Sequence, residues 1–186
     1  MSNQKSFLTV RELCATALGA ALMTICAWIS IPAQVPFTLQ TFAVFFVTAL
    51  LGLKCGILSV IVYLLLGAVG LPVFAGFQGG LGSLMGVTGG YLLGFVFSAL
   101  AVGLITKFFG RSFPVLIVSM IVGLVLCYAF GSVWFQILYV RTKGAITTGA
   151  VLSACVIPYL IPDAIKIALA AVLVRRLQPH VSLAKA

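Results

Sequence analysis

Residues 91–140 read YLLGFVFSALAVGLITKFFGRSFPVLIVSMIVGLVLCYAFGSVWFQILYV, and within this stretch only Lys107 and Arg111 carry charge. A first helix from Tyr91 to about Phe109 stops at Gly110 and Arg111. A second opens at Pro114 and continues to about Val140, where Arg141, Thr142, Lys143 and Gly144 close it. Each run reaches the roughly 20 apolar residues that a helix needs to cross a bilayer core of about 30 Å. This stretch therefore predicts two membrane-spanning helices joined by a short basic turn.

The same pattern extends in both directions. Of 186 residues 63% are hydrophobic, and only 11 Lys plus Arg and 2 Asp plus Glu are charged. At 7% charged residues, against about 25% in soluble domains, the chain cannot cover a water-facing surface, which excludes a soluble globular enzyme. Towards the N-terminus, a polar basic segment (1–11) precedes the apolar stretch Leu13 to Ile29, read as a retained first helix because no small-x-small cleavage site leads into soluble sequence. Ser30 to Gln40 forms an uncharged loop with Pro32 and Pro36. A second helix is expected from about Phe37 to Leu53, ended by Lys54, and a third from Cys55 to Val69, ended by Gly70, Leu71 and Pro72. Residues 70–90, GLPVFAGFQGGLGSLMGVTGG, are too rich in glycine for a regular helix and too apolar for a solvated linker. Such backbone survives in a membrane only when buried in protein or lining a cavity. Towards the C-terminus, residues 145–161 are broken by Thr147, Thr148 and Pro158 and predict an interfacial or re-entrant helix. The last helix starts with Pro162 in its first turn and ends at Arg175 and Arg176.

The expected fold is therefore an all-α integral membrane protein, one compact bundle of six transmembrane helices with irregular or re-entrant outer loops, forming a single substrate-binding domain over residues 1–186. Six spans put both termini on one side. With the termini cytoplasmic, Lys5, Arg11, Lys54, Lys107, Arg111, Arg175, Arg176 and Lys185 are inside and only Arg141 and Lys143 outside, as the positive-inside rule requires. Residues 1–11 and the tail 177–186 are then cytoplasmic. Both uncharged loops face outward.

The inventory of chemical groups is small. Glu12 and Asp163 are the only acids and His180 the only histidine, so no paired-carboxylate site, Ser-His-Asp triad or metal cage can be assembled. Cys14, Cys26, Cys55, Cys127 and Cys155 show no CxxC spacing and read as small buried apolar side chains. The basic residues stand singly between apolar runs, a pattern of membrane topology and not of nucleic-acid binding. GxG at Gly80 and Gly82 lacks a βαβ setting and a GK[ST], so the chain carries no nucleotide site of its own.

Against that background Asp163 and Lys166 stand out. Three residues apart, they share one helix face, and an intramembrane ion pair is by default a functional site. Gln34, Thr38, Gln40 and Thr41 of the first loop and Gln78, Thr88 and Tyr91 around the glycine-rich segment are expected to converge on the same outer end. With a floor of Phe37, Leu71, Phe74 and Phe77 they describe a mostly apolar small-molecule pocket with sparse polar anchors. On the first helix Ala17, Ala20, Ala21 and Thr24, with Ala15 and Gly19 alongside, make a small-residue ridge suited to close helix approach, either within the bundle or to a partner.

The segments VPFTLQTFAV (35–44), YLLLGAVGLPVFAGFQGGLGSLMGVTGGYLLGF (63–95) and IPDAIK (161–166) resemble the BioY family, the biotin-specific substrate-binding (S) components of energy-coupling-factor (ECF) transporters of bacterial cell membranes. The likeness runs in order along nearly the whole chain. It implies six helices, biotin captured from outside, no enzymatic activity and no cofactor beyond the transported ligand. It also implies docking through Ala17, Ala20 and Ala21 onto a transmembrane coupling subunit that works with two ATPase subunits. Carried over by position, Thr38, Gln40, Phe74, Gln78, Tyr91, Asp163 and Lys166 are the candidate biotin contacts. Val87 stands where the family usually has proline, and Leu92 where some members have arginine, which makes Lys166 the main candidate for the ligand carboxylate. Asp163 can accept from a ureido N–H, and Lys166 can donate to the carboxylate or to the ureido oxygen. An S component for another vitamin, or a stand-alone secondary carrier titrating Asp163, are the rival readings.

Overall fold

The computed structural model describes residues 8–33 and 35–181. Eight α-helices follow in order: α1 (Val10–Trp28), α2 (Gln40–Leu51), α3 (Leu53–Ala68), α4 (Leu81–Met85), α5 (Gly89–Phe109), α6 (Phe113–Lys143), α7 (Thr148–Cys155) and α8 (Leu160–Leu177). A two-residue hairpin, β1 (Ser30–Ile31) and β2 (Phe37–Thr38), lies between α1 and α2, with Ser30 opposite Thr38. Four helical segments, within 10–28, 89–109, 113–143 and 148–180, are long and apolar enough to cross a membrane, and α2 and α3 are shorter apolar helices. The chain is a multi-pass helical membrane protein.

The six expected spans correspond to α1, α2, α3, α5, α6 and α8, and the re-entrant element to α7. Most ends shift by a few residues, α1 starting at Val10 rather than Leu13 and α6 running to Lys143 rather than Val140, and the two ends of α2 differ for a physical reason. The second helix does not begin at Phe37: Pro36 withholds a donor, Phe37 and Thr38 pair with β1, and α2 starts at Gln40. Nor does Lys54 end it. Gly52, at φ 88°, turns the chain out of α2, and Lys54 lies in the first turn of α3. With 12 residues, α2 rises about 18 Å and cannot span the core alone, so the hairpin before it extends that layer at the end away from Lys54.

Helix direction sorts the charges. The start of α1, the α2–α3 junction, the α5–α6 junction and the end of α8 share one end of the bundle. Lys54 pairs there with Glu12 at 3.2 Å, and an Arg111 N–H donates to the Leu50 carbonyl at 3.3 Å. Arg141 and Lys143 end α6 at the other end. Lys5 and Lys185 lie outside the described residues.

Small residues set the helix spacing. A Cβ added to Gly19 would lie 2.4 Å from the Ser59 hydroxyl of α3, so α1 and α3 pack at backbone distance, the Ser59 hydroxyl donating to the Thr16 carbonyl at 3.1 Å. Met23, Val60, Tyr63, Phe45, Leu116 and Met120 are fully enclosed. Leu18, Leu65, Ile161 and Ile165 instead lie 59 to 76% exposed, an apolar outside that suits lipid and not water.

Candidate ligand-binding site

Opposite the basic end, a cavity of about 360 Å³ opens between the hairpin, the glycine-rich segment and the adjoining ends of α5, α6 and α8. That size falls at the lower end of small-molecule sites. Asp163 and Lys166 are both buried, 2% and 6% exposed, and the first turns of α8 present them to the cavity.

Their geometry is a closed network. The Lys166 ammonium lies 2.7 Å from Asp163 Oδ1, donates to the Thr38 carbonyl at 2.7 Å, and reaches Thr41 Oγ1 at 3.3 Å. Thr41 Oγ1 in turn donates to Asp163 Oδ1 at 3.0 Å, and the Tyr128 hydroxyl of α6 donates to Oδ2. All three ammonium donors thus have acceptors within the protein. A carboxylate accepts about four hydrogen bonds, so with Lys166, Thr41 and Tyr128 in place Asp163 retains capacity for one further donor. The ring of Phe37 lies 4.3 Å below the ammonium, a cation–π contact that helps to hold the charge away from water.

The walls are fixed in the same way. Gln40 accepts from Thr38 Oγ1 at 2.9 Å through its carbonyl and donates through its amide to the Tyr63 hydroxyl, so it joins β2 to α3 as much as it faces the cavity. Tyr159 donates to the Val35 carbonyl and stacks on Phe37, ring centroids 6.2 Å apart. This ties the segment between α7 and α8 to the hairpin. Tyr91 lies against Gly131, where an added Cβ would come 2.2 Å from the ring, and its hydroxyl is 3.1 Å from Ser132 Oγ. Phe74 is seated against Gly67 in the same manner, an added Cβ lying 1.9 Å from its ring. The glycine-rich segment folds through a Phe74 N–H to Gln78 carbonyl bond at 2.9 Å, which brings Gln78 to the cavity.

The structure thus gathers Thr38, Gln40, Thr41, Phe74, Gln78, Thr88, Tyr91, Asp163 and Lys166 around one space. Gln34 lies outside the described residues. Phe77 and Leu71 do not form the floor: Phe77 is 63% exposed and stacks on Trp28 at 5.2 Å, and Leu71 is 48% exposed. Both are turned outward because the Phe74–Gln78 bridge reverses the chain between them. Phe37 lies beneath Lys166 rather than in the lining. Sequence reasoning missed Val35, Phe95, Cys127, Tyr128, Cys155 and Tyr159. For Tyr128 a signal was present, because a tyrosine deep in an apolar helix must find a hydrogen-bond partner.

The ridge on α1 divides. Ala15, Gly19, Ala20 and Thr24 are buried against the bundle, Ala20 at 2%, whereas Ala17 and Ala21 are exposed. Ala20 is therefore core and unavailable to a partner, because the α1 face that holds it packs on α2 and α3.

A cavity of this kind, inside a lipid-facing bundle and anchored by one ion pair, agrees with what the chain resembles in sequence. The family model for BioY matches residues 1–183. The chain belongs to the BioY family. It is 42% identical over 170 residues to the biotin transporter BioY of Thermotoga maritima, covering 91% of this chain and 96% of that one. To the probable biotin transporter BioY of Pyrococcus horikoshii it is 37% identical, covering 92% and 98%. Among solved structures, the S-component for biotin from an ECF-type ABC transporter superposes with a TM-score of 0.81 at 27% identity, over 96% of this chain and 95% of that one.

Proposed function

We propose that the protein captures biotin at the outer face of the bacterial cell membrane and delivers it across as the S component of an ECF-type transporter; it is a transporter subunit and not an enzyme. The observation that carries this reading is the buried Asp163–Lys166 pair at the inner end of a cavity of about 360 Å³. Biotin has a cyclic urea at one end, with N–H and C=O side by side, and a carboxylate at the end of an aliphatic chain. An acceptor and a donor 2.7 Å apart match the urea end. Asp163 takes a ureido N–H with its remaining acceptor capacity. Lys166 gives the ureido oxygen the N–H now shared with Thr41, the longest of its three bonds at 3.3 Å. Both groups then meet the same end of the ligand, so Lys166 is assigned to the ureido oxygen and the carboxylate lies elsewhere. Phe74, Tyr91, Leu92 and Phe95 enclose the thiophane ring and chain, Gln78 adds polar contacts at the mouth, and Thr38 and Gln40 hold the wall.

With both termini cytoplasmic, the end bearing Arg11, Lys54, Lys107, Arg111, Arg175 and Arg176 is inside and the cavity opens outward. The chain provides a ligand site but no motor, so energy comes from a coupling subunit carrying two ATPase subunits, docked on the exposed Ala17 and Ala21 face of α1. Protein purified from biotin-supplied cells, denatured, and its released small molecules identified by mass spectrometry, is expected to yield biotin in near-equal molar amount. Thiamine or another vitamin in its place would overturn the reading.

A further inference from the structure

We propose that Lys143 receives the ligand's carboxylate, and that a second cavity at the outer end of α6 is the anion-recognising extension of the main one. The inference rests on the biotin reading above. Lys166 is the one cation lining the main cavity among the described residues, and its three donors are occupied at the Asp163 end. The carboxylate end of an anionic ligand has no cation there.

A neighbouring cavity of about 310 Å³ supplies one. It is lined by Ala33, Val87, Thr88, Phe135, Tyr139 and Lys143, and Thr88 also lines the main cavity, so the two spaces adjoin at that residue. The Lys143 ammonium lies 5.5 Å from the centroid of the Tyr139 ring, which stacks on Phe135 at 5.5 Å. Tyr139, backed by the buried Phe135 ring, thus forms an aromatic wall of this cavity beside the charge. No acid neutralises that charge: the chain has two, Glu12 and Asp163, and they pair with Lys54 and Lys166. The spacing also fits. Tyr128 bonds Asp163, and Phe135, seven residues on along α6, lies about 10 Å further outward at 1.5 Å per residue, on the order of an extended biotin. A ligand with its urea on Asp163 thus brings its carboxylate to the Thr88 boundary, and the Lys143 ammonium, held over Tyr139, faces that boundary across the second cavity. Lys143 is exposed, so the contact is screened and distinguishes acid from neutral ligand more than it sets the overall affinity.

Equilibrium titration of purified wild type, Lys143→Gln, Lys143→Arg and Arg141→Gln with biotin and with biotin amide tests this. At low salt Lys143→Gln is expected to weaken biotin about threefold to fivefold, the upper part of the range for an exposed ion pair, and to leave biotin amide unchanged. Lys143→Arg should retain the preference for the acid, Arg141→Gln should change it by less than half as much, and raised salt should reduce the Lys143→Gln effect. Equal loss for both ligands, no loss for either, or an equal effect of Arg141→Gln would overturn the inference while leaving biotin binding intact. Failure of wild type to bind either ligand would overturn the biotin reading and this inference with it.

Discussion

Asp163 organises the site because everything near it is arranged around its two oxygens. Lys166 and Thr41 hold one, Tyr128 the other, and the pair between α8 and the hairpin is completed by the Lys166 bond to the Thr38 carbonyl. Half of this was legible. Asp163 and Lys166 lie three apart on one helix, so their meeting follows from helical geometry alone. Tyr128 is 35 residues away on another helix, and no local rule says which face of α6 meets α8. Removing the tyrosine hydroxyl leaves one oxygen of a buried carboxylate short of a donor, at a cost of about 1 to 2 kcal/mol. Tyr128→Phe is therefore expected to weaken biotin binding by roughly tenfold, measured by calorimetry, with the helical circular dichroism unchanged. Lys166→Ala should cost biotin and biotin amide alike, since both carry the same urea. A much larger loss for the acid alone would return Lys166 to the carboxylate.

At the scale of elements, apolar length and punctuation marked α1, α5, α6 and α8 to within a few residues at each end, and Gly110 and Gly144, both at positive φ, do end α5 and α6. The hairpin was not legible. Two residues on each side give no alternation to read, and the pairing is held by contacts distant in sequence, such as Tyr159 to Val35. Nor were the glycine seats under Phe74 and Tyr91, because a helical glycine looks the same whether it faces lipid or a ring. Gly131→Ala places a methyl group 2.2 Å from Tyr91, an overpacking that typically costs about 1 to 3 kcal/mol. It should lower thermal stability in detergent and weaken ligand binding together. Gly149→Ala meets nothing within 4 Å and should change neither.

For the molecule as a whole, the proposed capture and coupling sites are separate surfaces, the cavity on one hand and the exposed middle of α1 at Ala17 and Ala21 on the other, which makes them separable by mutation. Ala17 and Ala21 face outward on α1, so tryptophan at either position adds bulk where a partner helix would need backbone proximity. Co-purification with the coupling subunit and uptake should both fall while biotin binding to the isolated protein persists; joint loss of binding and stability would show that this face packs internally after all. Orientation is open to the same kind of test. In a background without the native cysteines, a cysteine at Ser83, on the wall of the cavity, should react with an impermeant thiol reagent applied outside intact cells and be protected by biotin. One at Lys107 should not react.

If biotin is held by the buried Asp163–Lys166 pair, calorimetric titration of biotin into purified wild type, Asp163→Asn and Asp163→Ala should show it. Asparagine keeps an acceptor, whereas alanine leaves a ureido donor without an acceptor and Lys166 without its counter-ion, although Lys166 keeps Thr38 and Thr41; truncating one member of a buried charged contact costs about 2 to 5 kcal/mol. The expected order of affinity is wild type, then asparagine, then alanine, with the alanine variant at least about thirtyfold weaker than wild type. Equal affinity for the three folded proteins would mean that biotin is not held by Asp163.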